Sequence, residues 1–181
     1  MCAREIALAA AVVRNGGVIA YATESCFGLG CDPSDRAAVV RLLRVKRRPA
    51  HKGLILMAAD IEQLGRYVTR IPRKALLSWP GPYTWLLDAT AGTPAWIRGA
   101  HAGVAVRVTR HTQAAALCRA ARTAIVSTSA NRSGETPARS YHEALRRLGD
   151  ELDYVLPGQI GGLKSPTPIL HGVTGNVIRS A

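Results

Sequence analysis

The chain has 181 residues, 48% of them hydrophobic, which is enough for one domain with a substantial core and too few for two ordinary ones. Its 24 Lys and Arg against 12 Asp and Glu leave a formal charge of +12, so polyanions are the natural partners, whether nucleotide, RNA or anionic membrane. No run approaches the roughly 18 apolar residues of a membrane span, and Cys2, Cys26, Cys31 and Cys118 lack zinc-ligand spacing, so a membrane protein and a zinc site are both excluded.

Residues 1–17, MCAREIALAAAVVRNGG, read as a short helix rather than a signal peptide, with Ile6, Ala9, Ala10 and Val13 on one face and Gly16-Gly17 as its left-handed cap. The expected location is the cytoplasm, with the cysteines as reduced thiols packed like small hydrophobes. Val18 to Tyr21 is a buried strand, followed by a loop containing Gly28, Gly30 and Pro33. A helix beginning near Ser34-Asp35 presents Val39, Leu42 and Leu43 on one side and carries Lys46 and Arg47 in its last turn, where cations suit the helix dipole. Leu54 to Met57 is a strand, Asp60 with Gln63 caps a helix, and Pro72 to Leu77 is another short helical piece. Strands are expected at Tyr83 to Leu87, Val104 to Val108 and Ala124 to Ser127, with a helix over 111–121 between the last two. Ser140 and Glu143 form a capping box for a helix, and strands near 153–156, 167–170 and 176–179 follow. Interleaved strands and helices predict a single α/β domain over residues 1–181, built on a twisted mixed sheet covered by helices, because several connections are too short for crossovers.

The stretch LLRVKRRPAHKGLIL (42–56) sets Lys46, Arg47, Arg48, His51 and Lys52 between two apolar runs with no carboxylate. A phosphate loop is excluded at 158–165, where Leu163 replaces the last glycine and Pro166 and Pro168 forbid the following helix. No dinucleotide fingerprint, nucleophile elbow or paired-metal carboxylate set occurs. Two strands end in small hydroxyl residues, and if those ends converge they offer Thr23, Ser25, Ser127, Thr128, Ser129 and Asn131 to one small polar ligand. Ordinary turn chemistry accounts for the same composition.

The ordered series Y-A-T-E-S-C-F-G-L-G, K-R-R-P-A-H-K-G-L-I-L, W-P-G-P-Y-T and S-T-S-A-N-R-S-G resembles the YrdC/TsaC family of threonylcarbamoyl-AMP synthases, from about residue 6 onward and in its short bacterial form. The resemblance implies a YrdC-like fold with a basic concave groove, in which the family's K-x-R and S-x-N tetrad falls on Lys46, Arg48, Ser129 and Asn131. Ala22 stands where the family has Pro, and Ser165 to Ile169 matches its Ser/Thr segment loosely.

The reaction so implied joins L-threonine, bicarbonate and ATP into threonylcarbamoyl-AMP and pyrophosphate, for t6A modification of tRNA. By the same resemblance Thr23, Arg107, Ser129 and Thr167 meet the amino acid, and Arg48, Lys52, Asn131 and Arg179 the nucleotide. Arg47 points away to solvent. Mg2+ is expected to travel on the phosphates, no residue being assigned to a metal, and downstream threonylcarbamoyl-transfer proteins are the expected partners. The rival reading is a double-stranded or ribosomal RNA binding or maturation protein without synthase activity, favoured by the charge and opposed by only nine Phe, Trp and Tyr residues and no recognised RNA module. A catalytically idle nucleotide-binding relative is a third.

Overall fold

The computed structural model describes residues 2–180. Its strands are β1 (Ile19–Ala22), β2 (Phe27–Gly30), β3 (Ile55–Ala58), β4 (Thr84–Asp88), β5 (Gly103–Val108), β6 (Ile125–Ser129), β7 (Tyr154–Val155), β8 (Ile169–His171) and β9 (Val177–Arg179). They form one mixed sheet in the order β7-β1-β2-β6-β3-β5-β4-β8-β9, with β3/β5, β1/β7 and β4/β8 parallel and the other neighbours antiparallel. The expected mixed α/β sheet is therefore present.

Six α-helices are described: α1 (Ala3–Arg14), α2 (Arg36–Val45), α3 (Arg73–Ser78), α4 (Ala95–Arg98), α5 (Thr112–Ala121) and α6 (Tyr141–Leu148). Asp35 caps α2 by accepting from the Ala38 amide, and Ser140 caps α6 by accepting from the Glu143 amide, as the sequence predicts. Gly16, at φ 80°, ends α1 with its own amide bonded to the Val13 carbonyl and that of Gly17 to the Val12 carbonyl.

Three expectations need correction. Residues 27–30 are a strand and not a loop: a Cβ on Gly30 would lie 2.7 Å from the Tyr21 ring and 2.7 Å from the Val126 carbonyl, so the glycine lets β2 pass under that ring within the sheet. Asp60 and Gln63 do bond, but they introduce only a 3-10 turn at Glu62–Leu64, which stops at Gly65. Lys46 and Arg47 do not lie in the last turn of α2, which ends at Val45 with Lys46 as its cap; the one-turn helix α4 and a 3-10 turn at Ala50–Lys52 are additional elements.

Side chains alternate across each strand. Ala20, Phe27, Leu29, Leu56, Val106 and Val126 pack on the side of α2 and α6, while Ile19, Tyr21, Met57 and Ile125 pack against α1 and α5. Strands buried on both faces read in sequence as continuous apolar runs. On the α1/α5 side, the same alternation carries Ile55, Ser127 and Ser129 beyond the end of the helical cover.

Candidate active site

That uncovered part of the sheet floors a cavity of about 350 Å3. Thr23, Lys46, Arg48, Lys52, Arg107, Ser129, Asn131, Thr167 and Arg179 all line it, so every site residue expected from the sequence arrives at one place. Arg47 does not: it is exposed and lines a separate surface depression with Arg44 and Pro49.

The basic stretch is built as a rigid corner. Beyond α2, Arg47 adopts φ 50°, its amide bonds to the Arg44 carbonyl, and the Arg48 amide reaches back to the Leu43 carbonyl at 2.9 Å. This double closure turns the chain so that Lys46 and Arg48 face inward while Arg47 faces out. The Arg48 guanidinium then donates to the carbonyls of Lys52 and Gly53. Gly53, at φ 62°, lies so close to α4 that a Cβ there would stand 2.7 Å from the Arg98 carbonyl. Burial lowers the pKa of Arg48.

Lys46 is only 4% exposed, and its three ammonium protons are shared among four acceptors, the Ser129 carbonyl (2.6 Å), Ser129 Oγ (3.1 Å), the Asn131 carbonyl (3.2 Å) and Asn131 Oδ1 (3.0 Å). Burial first, and repulsion from Arg48 second, push its pKa down to about 8. The Asn131 amide nitrogen donates to the carbonyls of Arg132 and Glu135, and the amide and hydroxyl of Ser133 return to the Lys46 carbonyl. Lys46 thus ties the loop after β6 to the end of α2. Ser129 Oγ accepts from Lys46, which leaves its own proton for a ligand.

At the other end, Arg107 on β5 is 6% exposed. Its Nη1 donates to Thr167 Oγ1 at 2.6 Å, and its Nη2 lies 3.3 Å from Glu24 Oε2 and 3.5 Å from Met57 Sδ. Glu24 Oε1 accepts from the Thr109 hydroxyl at 2.6 Å. Thr84, in the W-P-G-P-Y-T motif, stands behind Thr167 with its Oγ1 at 3.3 Å. Thr23 donates its hydroxyl proton to the Cys26 carbonyl at 2.8 Å, so its oxygen is left as an acceptor.

The segment after β7 brings Thr167 in. The Gly161 amide bonds to the Thr23 carbonyl and the Leu163 amide to the Glu24 carbonyl, while the His111 ring nitrogen Nε2 lies 3.0 Å from the Gln159 carbonyl. Arg179 on β9 donates to the Thr167 carbonyl, and its pKa is lowered by burial and then by Arg107 and Arg48.

Among the described residues, the lining carries five cations and no Asp or Glu. Sequence reasoning missed Glu24, although it lies inside a quoted motif: its importance depends on Arg107, which is remote along the chain. No group of three His, Cys, Asp or Glu is placed to hold a metal ion among the described residues, and no helix there is long and apolar enough to cross a membrane.

A family model for Sua5, YciO and YrdC proteins, described as telomere recombination, matches residues 11–181. A threonylcarbamoyl-AMP synthase of Halorhodospira halophila is 50% identical over 175 residues, covering 94% of this chain and 92% of its own. That of Alkalilimnicola ehrlichii is 53% identical over 176 residues, covering 94% and 93%. Among solved structures, P. abyssi Sua5 complexed with L-threonine matches with a TM-score of 0.89 at 31% identity over 94% of this chain. The chain spans about half of that longer protein, 52%.

Proposed function

The chain belongs to the Sua5/YciO/YrdC family, and from that membership we propose that it makes L-threonylcarbamoyl-AMP and pyrophosphate from L-threonine, bicarbonate and ATP. The observation that carries this reading is the cavity itself, which gathers the hydroxyls of Thr23, Ser129 and Thr167 and an Arg107 paired with Glu24 beside Lys46, Arg48, Lys52 and Arg179, which no lining carboxylate opposes. On our reading a small zwitterion lies against Arg107 at one end and a triphosphate against Arg48 and Lys52 at the other.

The threonine amine combines with bicarbonate to give an N-carboxylate, with loss of water. A carbamate oxygen then attacks the α-phosphorus of ATP, the bond to the β-phosphate oxygen breaks, and pyrophosphate leaves. This displacement calls for positioning and charge neutralisation rather than a protein nucleophile. Arg107 holds the threonine carboxylate. Thr23 accepts from the threonine hydroxyl and Ser129 donates to the substrate, so that analogues lacking the hydroxyl leave a buried acceptor unpaired. Arg48, Lys52 and Arg179 bind the phosphates, while Lys46 and Asn131 hold Ser129 and the loop around the nucleotide. Mg2+ travelling on the phosphates would supply charge neutralisation to the leaving group, with no residue of the chain assigned to hold it.

The whole chain acts as a single unit in the cytoplasm, and threonylcarbamoyl-transfer proteins consume its product for t6A modification of tRNA. The burial of Thr23, Arg107 and Thr167 disfavours the reading as an RNA-binding protein alone, since a polyanion needs an open basic face. The test is pyrophosphate release by the purified chain with threonine and bicarbonate omitted in turn. Release is expected only when both are present, and turnover indifferent to threonine would overturn the proposal.

A further inference from the structure

The cavity poses a sorting problem. All five of its cations attract phosphate, and Arg107 could take a phosphate oxygen pair as readily as a carboxylate. A triphosphate lodged there would block the amino acid. The four cations other than Arg107 have no carboxylate within salt-bridge distance among the described residues. Arg107 alone has one: Glu24 Oε2 at 3.3 Å, on a residue 7% exposed and beneath the lining rather than in it.

We infer that Glu24 is a specificity-determining residue that cancels the charge of Arg107, so that phosphates are confined to the Lys46–Lys52 end and the Arg107 end is left to a single carboxylate. This rests on the two-ended reading of the cavity given above. Glu24 is suited to the task by its own bonds. Thr109 fixes Oε1, and Oε2 has no hydrogen-bond partner, so that oxygen faces the guanidinium alone. Burial pushes the Glu24 carboxyl up, but Arg107 and then Thr109 outweigh it and leave the group below its usual range, hence charged at neutral pH. A polyanion approaching Arg107 also meets the Glu24 charge behind it, whereas at Arg48 and Lys52 it meets only cations. A monocarboxylate loses less from the same arrangement, and the remaining Nη1 proton is aimed by the bond to Thr167.

The experiment is calorimetric titration of threonine, without ATP, into wild type, Glu24→Gln and Glu24→Met, each with and without saturating inorganic pyrophosphate. In wild type, threonine affinity should agree within about twofold between the two conditions, because the ligands occupy different ends. In both variants pyrophosphate should weaken threonine binding by about fivefold or more, since unscreened charges at contact interact by well over that factor. Thr109→Val, which keeps both charges, should behave as wild type even if it melts earlier. A purely structural Glu24 would lower the melting temperature of all three variants without creating competition, and that result overturns the inference. So does competition in wild type, an arm that needs no variant to fold. Absence of threonine binding to wild type would instead overturn the underlying reading of the site.

Discussion

At the scale of single residues, the cavity separates three adjacent basic side chains by function. Lys46→Ala and Arg48→Ala should each reduce kcat/KM for ATP by about tenfold to over a hundredfold, as expected for the ~1.5 to 3 kcal/mol of a charge-assisted contact. Arg47→Ala should leave it within about twofold, because its side chain faces solvent outside the cavity. Equal losses in steady-state assays of the three would indicate a diffuse basic patch. Lys46 also sets a pH dependence. With its pKa pushed down to about 8 from 10.5, the ammonium discharges as pH rises through about 8, so kcat/KM for ATP should fall there, and Lys46→Arg should move that limb upward. The stability effect has the opposite sign: between about 8 and 10.5 the unfolded chain binds the extra proton, so stability gains from this group as pH rises. Thr23→Val removes an acceptor without removing charge, and titration should show weaker threonine binding with any RNA affinity and its salt slope unchanged.

At the scale of elements, the turn after α2 has a cost that the sequence conceals. An arginine occupies the left-handed position where glycine is normally found, at about 1 to 2 kcal/mol of local strain, partly offset against glycine's larger unfolded-state entropy. Arg47→Gly should therefore raise the melting temperature by a degree or two, with ATP kinetics unchanged, as thermal scanning can check. Gly30→Ala should do the reverse, losing about 1 to 3 kcal/mol as its methyl group meets Tyr21 and the Val126 carbonyl. These positions also mark where sequence reasoning works. Apolar periodicity and Asp35, Ser140 and Gly16 identified α1, α2 and α6, because caps and one-sided burial are local properties. The Gly28 to Gly30 strand was illegible because its glycines answer to a ring on the neighbouring strand, and α4 is one turn long, too short for a period to register. The Asp60–Gln63 spacing predicts a capped helix, but Asp60 only accepts from the Gln63 amide ahead of a 3-10 turn at Glu62–Leu64, which carries no side-chain cap.

At the scale of the whole molecule, the cavity draws on separated parts of the chain: residues 23–28, 46–55, Arg107, 127–137 and 166–179. The family resemblance pointed to nine of its residues, six of them in the four ordered motifs, yet their meeting depends on sheet order, which brings β6 between β2 and β3 and lays β8 beside β4. Short motifs do not encode such pairings. Because all these segments meet around one cavity, ligands that bind there only in the folded protein should stabilise it globally by mass action. Threonine with ATP at about 100 times their dissociation constants should raise the melting temperature by several degrees, and threonine alone by less. An unchanged melting temperature with both would count against a site assembled from these segments.

The placement of Thr167 and Arg179 also bears on how the protein comes into being. During synthesis at about 5 to 20 residues per second, the cations at 46–52 and the Arg107 pair leave the ribosome several seconds before these two residues. In that interval the nascent chain exposes a partly built anion trap to a medium rich in nucleotides and RNA, with Arg107 not yet oriented by Thr167. Catalytic competence therefore arrives late in translation rather than by degrees. The carboxylate of Glu24, made long before Arg107 and close to it in the finished fold, is at hand to neutralise that arginine once β6 has joined β2 to β3.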